Sequence, residues 1–337
     1  MVEPSVGVPV PPPDLSEVLA GARVVRIPLK VRFRGVDERE ALLVRGPAGW
    51  GEFAPFLEYP DREAARWLGA ALEAAWIGHP EPRRRSVEVN ATVPAVTPDR
   101  VASVLARYDG CRTVKVKVAE RGQSLADDLA RVAEVRALVG AGARIRVDAN
   151  GAWTVEQAVE AISRLAGHDL EYVEQPCARV EELARLRREL ARSGVDVAVA
   201  ADESIRKASD PLAVRDLGAA DLIVVKVAPL GGVRRALRIV EEAGLPAVVS
   251  SALDTSVGIA AGLALAAALP RLEYACGLGT IGLAAGDVAR DPLLPAGGML
   301  EVRPVVCDEE LMARWAAPPE RVDWWRDRLI RCHRLLG

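Results

Sequence analysis

Two stretches near the start of the chain, residues 22–31 and 39–46, are rich in β-branched residues and alternate apolar with polar side chains. This period of two predicts two strands. Residues 61–77 instead repeat apolar side chains at the spacing of a helix, with Trp67 and Trp76 on the apolar side. Together the two strands and the helix predict a small α+β unit.

Short β-rich stretches alternate with helical patterns from residue 86 onward. The eight predicted strands lie at residues 86–93, 113–118, 144–149, 170–175, 196–202, 221–228, 247–252 and 272–276. The helical patterns between them include residues 124–139, 154–166, 180–193, 210–217, 231–243 and 256–269. A strand and a helix repeat about every 25–30 residues, which favours a parallel eight-stranded βα barrel over an open sheet.

The pattern divides the chain into three parts. We predict an α+β domain at residues 1–85, a (β/α) barrel domain at 86–297, and a C-terminal segment at 298–337. This last segment contains a strand pattern at residues 299–304 and a Trp/Arg-rich helix. Because neither element has a place in the barrel repeat, we expect the segment to pack back toward the N-terminal domain.

Composition and charge exclude some classes of protein. The 337 residues are 50% hydrophobic and 27% charged, and the net charge is −3. This length and hydrophobic content are sufficient for the core of a barrel and of a smaller domain. The absence of a long basic run argues against nucleic-acid binding. No apolar stretch is both free of charge and long enough to span a membrane, so no membrane partner is expected.

The chain start and the cysteines both favour a cytoplasmic protein. Residues 1–17 lack the basic and apolar regions of a signal peptide. The five cysteines are odd in number and scattered, without CxxC spacing, so we expect free thiols and neither a disulfide framework nor a zinc site.

Residues 113–118 (TVKVKV) form the most informative strand. Lys115 and Lys117 lie on one face, because side chains two apart in a strand point the same way. In a barrel this face points inward, where desolvation favours the neutral amine and a lysine can become a base near neutral pH. The alternative is a surface strand with its lysines on the solvated face.

Charged residues recur near the C-terminal ends of five successive predicted strands, which should otherwise be apolar. They are Lys117, Asp148, Glu174, Asp202 and Lys226. The intervals are 31, 26, 28 and 24 residues, or one βα unit each. Because the C-terminal ends of barrel strands share one mouth, this spacing predicts three carboxylates side by side between two lysines.

Three neighbouring carboxylates repel one another unless a cation lies among them. Oxygen ligands without histidine or cysteine favour Mg²⁺ or a similar hard ion, which can also bind a substrate carboxylate. Such an ion stabilises the charge that forms when the proton next to the carboxylate leaves. The alternative is that each carboxylate only caps the helix that follows it, as Asp148 could before Asn150.

These residues resemble the enolase superfamily, in its branch with lysines on barrel strands two and six. The matching pieces are residues 115–117 (KVK), 147–151 (VDANG), 173–176 (VEQP), 201–204 (ADES) and 225–227 (VKV). The resemblance covers nearly the whole chain and implies a modified, enolase-like TIM-type barrel with an N-terminal α+β capping domain.

The resemblance also implies roles for the charged residues. Asp148, Glu174 and Asp202 would hold Mg²⁺, for which Mn²⁺ could substitute, and Lys117 and Lys226 would face each other across the substrate's α-carbon. Glu203 adjoins Asp202, but we expect strand alternation to turn it away.

Two further stretches bear on the substrate. The hydroxyls and N–H groups of residues 250–258 suit an anionic group, although an ordinary helix N-cap explains part of this pattern. Residues 277–282 match GxGxxG, but the loop-like sequence that follows argues against a nucleotide site, and we expect a tight turn with N–H groups toward a carboxylate. The predicted substrate-binding residues are Lys115, Asn150, Ser250, Ser251, Leu253, Gly277 and Leu278.

Within the superfamily, residues 51–56 and 250–258 look most like the o-succinylbenzoate synthases of the menaquinone pathway. The chain lacks the Asp-x-Asp pair that dipeptide epimerases show after strand eight. The resemblance implies a dehydratase acting on a small-molecule carboxylate, with Phe53, Phe56 and the loop at 32–37 closing over it or serving only as core and loop. An N-acylamino acid racemase, a cycloisomerase and a non-catalytic binding barrel stay open as alternatives, as do a monomer and an oligomer.

Overall fold

The computed structural model describes residues 11–33, 35–206 and 211–336. The first sheet has three antiparallel strands in the order β1-β2-β3. They are β1 (Arg23–Phe33), β2 (Val36–Gly46) and β3 (Gly49–Phe53), and a short helix α1 (Leu15–Ala20) precedes them. Both predicted strands are confirmed and are longer than expected, because their pairing extends to Phe33 and Val36. The third strand is not among those predicted.

Helix α2 (Asp61–Leu72) continues as a π-helical turn (Glu73–Ile77), which confirms the helix predicted over residues 61–77. Strand β3 lies close against this helix. A Cβ atom at Gly51 would collide with the carbonyl group of Ala71, so only glycine allows the strand to approach.

Seven parallel strands form the second sheet, in the order β11-β10-β9-β8-β7-β6-β5. They are β5 (Ala91–Val93), β6 (Thr113–Lys117), β7 (Arg144–Asp148), β8 (Leu170–Glu174), β9 (Val199–Ala201), β10 (Leu222–Val225) and β11 (Ala247–Val249). The strand predicted at 86–93 is split in two, because β4 (Ser86–Glu88) pairs antiparallel with β12 (Met299–Glu301) and only β5 joins the barrel. Each of the other six strands lies within its predicted range.

The eighth predicted strand is wrong, since residues 272–276, all of them described, form no strand. The backbone there still closes the ring, because Cys276 forms a parallel bridge to Val89 and Gly277 forms one to Ser250. Both are isolated bridges outside the named strands, so residues 272–277 lack a continuous ladder. In the part of the chain that the structure describes, the barrel therefore has seven strands and a closing loop.

Helices α3 to α11 connect the barrel strands. They are α3 (Pro98–Leu105), α4 (Leu125–Val139), α5 (Val155–Leu165), α6 (Val180–Arg192), α7 (Glu203–Arg206), α8 (Ala213–Asp216), α9 (Val227–Leu230), α10 (Val233–Ala243) and α11 (Ser256–Ala268). All six predicted helices are present, although residue 210, where one prediction begins, lies outside the described residues. Within the described ranges, no helix is long and apolar enough to cross a membrane.

The C-terminal segment adds α12 (Glu309–Arg314) and α13 (Pro319–His333). Helix α13 packs on the first sheet, where the indole N–H of Trp325 donates to Glu40 at 2.8 Å. The rings of Phe53 and Trp325 meet edge to face at 5.6 Å. The domain bounds after residues 85 and 297 stay a prediction.

Candidate active site

The five charged residues lie together at one end of the barrel. Lys117, Asp148 and Glu174 are the last residues of β6, β7 and β8. Asp202 and Lys226 come directly after β9 and β10. The strand register pairs Lys117 with Asp148 and Asp148 with Glu174. The carboxyl ends of five neighbouring strands therefore form one mouth.

Strand β6 has its valines and lysines on opposite faces, as predicted. Val114 and Val116 belong to the hydrophobic core, and both are 0% exposed. Lys115 and Lys117 are each only 7% exposed and contact the carboxylates of the mouth. This burial excludes a surface strand with solvated lysines.

Each lysine of the mouth is paired with a carboxylate. The Lys115 ammonium donates to both oxygens of Glu174, at 3.2 and 3.1 Å. The Lys226 ammonium donates to Oδ2 of Asp202. Glu174 and Asp202 are fully buried, so these contacts compensate charges that no solvent screens.

The Lys117 ammonium donates to Oδ2 of Asp148 and, at 2.7 Å, to Oδ1 of Asn150. The Asn150 amide in turn donates to Glu203 at 3.3 Å. The expectation that strand alternation turns Glu203 away is wrong, because β9 ends at residue 201 and Glu203 begins a short helix. Lys117 therefore lies in a network that includes this additional carboxylate.

The surroundings of the three carboxyl groups at the mouth shift their pKa values in different directions. Burial and the charge of Asp148 raise the pKa of Glu174 to about 7. Burial also favours the neutral forms of Asp148 and Asp202, but neighbouring lysine charges outweigh this effect. Lys117 holds the pKa of Asp148 below its usual range, and Lys226 does the same for Asp202. A further positive charge beside Glu174 would favour its ionised form.

The carboxylates have the donor chemistry of a hard divalent cation. Among the described residues, no three acidic, histidine or cysteine side chains already stand in a metal-binding arrangement. Lysine ammonium groups lie on the carboxylate oxygens instead. Three oxygen donors on adjacent strands, one with a raised pKa, fit a divalent cation that replaces the ammonium groups at these oxygens.

A cavity lies at the mouth. The lining residues are Phe33, Phe56, Thr92, Lys115, Lys117, Asp148, Asn150, Lys226, Ser250, Ser251, Ala252, Leu253, Gly277 and Thr280. Every predicted substrate-binding residue except Leu278 is among them. The Leu278 side chain is fully buried and lies against Gly262 of α11, and the expected role of its backbone N–H stays a prediction.

The wall after β11 presents hydroxyl groups. Ser251 Oγ donates to the carbonyl of Gly277 at 2.8 Å and shares a hydrogen bond with Thr280 Oγ1 at 2.7 Å. The expected role of the Gly277 N–H is wrong, because this group donates to the carbonyl of Val249 at 2.8 Å. An anionic group at this wall would therefore meet side-chain hydroxyls and not the Gly277 amide.

Sequence reasoning missed Thr92 and Thr280, and it left open both Phe56 and the loop at 32–37, which contains Phe33. Thr92 pairs with Lys115 in the β5–β6 register, so a search for polar residues at every strand end would have found it. The ring of Phe33 lies 5.3 Å from the Lys117 ammonium. This ring comes from the β1–β2 hairpin, and no local pattern indicates its contact with the barrel. Phe53 packs on helix α13 and does not line the cavity.

Backbone strain concentrates at the mouth. Ala119, Asn150, Gln175 and Leu253 have φ angles of +58°, +47°, +38° and +63° and follow the ends of barrel strands. Each such residue costs about 1–3 kcal/mol and persists only where its surroundings hold it. Gln175, for example, accepts the N–H of Asp202 at 2.9 Å and so links β8 to the end of β9.

Comparison with known proteins identifies the family of this chain. Residues 99–305 match the family described as Enolase C-terminal domain-like, and residues 24–75 match Enolase N-terminal domain-like. An o-succinylbenzoate synthase from Mycolicibacterium smegmatis is 57% identical over 96% of this chain and 98% of its own length. One from Thermobifida fusca is 58% identical over 91% of this chain and 94% of its own length. The chain belongs to the o-succinylbenzoate synthase family of the enolase superfamily.

Solved structures share the fold of this o-succinylbenzoate synthase family member. Muconate lactonizing enzyme from Pseudomonas putida aligns with a TM-score of 0.73, covering 88% of this chain and 98% of its own. At 22% identity this likeness concerns the fold alone. The predicted fold class, an enolase-like TIM-type barrel with an N-terminal capping domain (the cap), is confirmed. Enzymes of the superfamily typically depend on a divalent metal.

Proposed function

We propose that the chain dehydrates 2-succinyl-6-hydroxy-2,4-cyclohexadiene-1-carboxylate to 2-succinylbenzoate, as a carbon–oxygen lyase of menaquinone biosynthesis. The observation that carries this proposal is that Lys117 and Lys226 line one cavity beside three carboxylates. Their strands, β6 and β10, are four positions apart in the sheet order and therefore lie across the ring from each other. The substrate is inferred from the o-succinylbenzoate synthase activity named for two relatives, which are 57% and 58% identical to this chain.

Asp148, Glu174 and Asp202 would hold Mg²⁺, and Mn²⁺ could substitute for it. A bound divalent ion supplies positive charge that favours ionisation of the C–H bond next to the substrate carboxylate. Lys115 adds to this charge, since Glu174 and Asp148 raise its pKa although burial opposes the charged form. Lys115 therefore stays an ammonium group near the substrate carboxylate.

Lys117 is the base in this reaction. Burial lowers its pKa, and the neighbouring Lys115 charge adds to this effect although Asp148 opposes it, so the neutral amine becomes accessible. The C–H bond at the carbon bearing the carboxylate breaks, and its proton goes to Lys117 Nζ. The C–O bond to the ring hydroxyl then breaks, and this oxygen takes the proton back from Lys117 and leaves as water.

Lys226 stays an ammonium group on the other side of the ring. A cation over a ring face is attracted by the π-electrons, and this attraction favours the species that becomes aromatic. Phe33 and Phe56 from the cap cover the cavity and exclude water from the reacting carbon. The hydroxyls of Ser251 and Thr280 lie where they can receive the succinyl carboxylate.

Racemisation of N-acylamino acids is the second candidate. Two lysines that reach one cavity from opposite sides of the barrel are what proton removal on one face and return on the other require. Both reactions begin with the same proton transfer, and only the dehydration needs a leaving hydroxyl group.

The test follows ultraviolet absorbance as purified protein with Mg²⁺ converts the hydroxy-acid precursor to 2-succinylbenzoate. A parallel sample in D₂O follows α-deuterium exchange of N-acylamino acids by NMR. We expect dehydration, with or without slower exchange. Exchange without dehydration would assign the racemase. A thermal shift with Mg²⁺ but no turnover of either substrate would assign a non-catalytic binding barrel.

A further inference from the structure

Arg206, the last residue of α7, is a buried arginine of the mouth with no role in the reaction described above. Its side chain is 3% exposed, and its guanidinium donates in three directions. Nε donates to Asp202 Oδ1 at 3.1 Å, Nη1 to the Tyr59 hydroxyl at 2.9 Å, and Nη2 to Glu203 at 2.6 Å. One partner is a predicted metal ligand and another belongs to the cap.

Arg206 makes the two oxygens of Asp202 unequal. Arg206 occupies Oδ1, whereas Lys226 lies on Oδ2. The N–H groups of Ile205 and Arg206 also donate to the Asp202 carbonyl, at 3.0 and 3.1 Å, which fixes the backbone from which the carboxylate projects. Since a guanidinium is a rigid, planar fork, it holds Oδ1 in one direction and leaves Oδ2 as the oxygen available to a cation.

Tyr59 connects this arginine to the cap. Its ring meets the rings of Phe56 and Trp67 edge to face, at 5.6 and 6.1 Å. Phe56 lines the substrate cavity. A continuous series of buried contacts therefore runs from the cavity wall through Tyr59 and Arg206 to the carboxylate of Asp202.

We propose that Arg206 is a positioning residue that sets Asp202 for cation binding, and that Tyr59 holds Arg206 in place from the cap. This inference rests on the proposed metal site. A cation ligand oriented by a hydrogen bond from a neighbouring residue loses about 10–100-fold in affinity when that neighbour is changed. The affinity for Mg²⁺ then depends on a residue of the cap that touches no ligand of the ion directly.

Arg328 offers a matched control. It is 1% exposed, and its Nη2 donates to the carbonyl groups of Phe56 and Tyr59 at 3.2 and 2.5 Å. It thus holds the same cap segment as Arg206 does, but its neighbouring carboxylate is Asp61, and among the described residues no carboxylate of the mouth contacts it. A purely structural loss at this segment should appear in both arginine variants.

The experiment titrates MgCl₂ into the full chain without substrate, by isothermal titration calorimetry, and records the melting temperature of each variant. We expect the Kd for Mg²⁺ to rise at least about tenfold in Arg206→Lys and at least about threefold in Tyr59→Phe. Arg328→Lys should melt at a lower temperature, yet its Kd should stay within about twofold of that of the unchanged chain.

Unchanged Mg²⁺ affinity in Arg206→Lys would overturn the inference, and so would equal losses in Arg206→Lys and Arg328→Lys. If Arg206→Lys does not fold, Tyr59→Phe decides, because this variant keeps the packed ring and removes only the hydroxyl. An unchanged chain that does not bind Mg²⁺ would overturn the metal site itself, together with the inference. The two failures are therefore distinguishable.

Discussion

Lys115 and Lys117 are two residues apart on one strand face, yet their surroundings give them different chemistry. Lys115 contacts both oxygens of Glu174 and lies 3.6 Å from Asp148, and these charges hold its pKa above the usual range against the effect of burial. Burial and the Lys115 charge instead lower the pKa of Lys117. One side chain therefore supplies a lasting positive charge, and its neighbour can act as a base.

Replacement of Lys117 and Lys226, the two lysines across the ring, tests their proposed roles. We expect Lys117→Ala and Lys226→Ala to lower kcat by about 10²–10⁴-fold, because each removes a proton-transferring or charge-stabilising group. The ultraviolet assay measures the rate, and circular dichroism checks the fold. Lys30→Ala, at an exposed position of β1, is the control and should keep full activity. A kcat within about tenfold in Lys117→Ala would remove Lys117 as the base.

The charged residues of the mouth could be predicted because the βα repeat brings strand ends together whatever the side chains are. The pairing of Lys117 with Asp148 follows from that repeat. The position of Thr280 could not be predicted, since a loop places it. Whether Phe33 covers the cavity stayed open, since the distance of a hairpin from the barrel centre has no counterpart in local sequence.

Strand β3 and helix α11 are joined by a carboxylate that caps the helix from another domain. Glu52, only 8% exposed, accepts the N–H groups of Thr255 and Gly258, each at 3.1 Å, and the Thr255 hydroxyl at 2.5 Å. Burial and the nearby charge of Asp254 raise the pKa of Glu52 to about 8, although Arg39 and the hydrogen bonds oppose this shift. The contact fixes the cap against the loop that carries Leu253 into the cavity.

The raised pKa of Glu52 predicts a pH-dependent stability. Between the ordinary value of 4.5 and the folded value of about 8, the native state binds more protons than the unfolded state. The free energy of unfolding therefore falls as the pH rises through this window. Glu52→Gln keeps the shape of the side chain but does not titrate. Between pH 4.5 and about 8, we therefore expect the free energy of unfolding of this variant to fall by at least about 1 kcal/mol less than that of the unchanged chain.

Urea unfolding at a series of pH values measures this difference. Glu58→Gln, at an exposed position of the same cap, should follow the pH curve of the unchanged chain. Parallel curves for the unchanged chain and Glu52→Gln would show that Glu52 does not titrate in this window.

Most helices could be predicted, because their ends have local signals such as the capping box of Thr154 and Gln157. The strands were harder to predict at two places, where the pairing partner decides whether a segment joins the barrel sheet. β4 leaves the barrel because β12 pairs with it, and residues 272–277 lack a ladder because their two bridges, to Val89 and Ser250, are isolated. Neither partner is visible in the segment itself.

The whole molecule joins its cap and barrel around one cavity. The cap contributes Phe33 and Phe56 to the walls, and the barrel contributes the charged groups. Both parts could be predicted from the sequence, but whether the cap closes over the cavity stayed open. The hydrogen bond between Glu52 and Thr255, for example, joins residues 203 positions apart.

The central claim is that a divalent cation held by Asp148, Glu174 and Asp202 lies between two lysines that face opposite sides of the substrate. The most direct test is a crystal structure of the chain with Mn²⁺ and 2-succinylbenzoate, in which anomalous scattering locates the ion. We expect the ion on these three carboxylates, with Lys117 and Lys226 on opposite faces of the bound ring. An ion bound elsewhere, or both lysines on one face of the ring, would contradict the account.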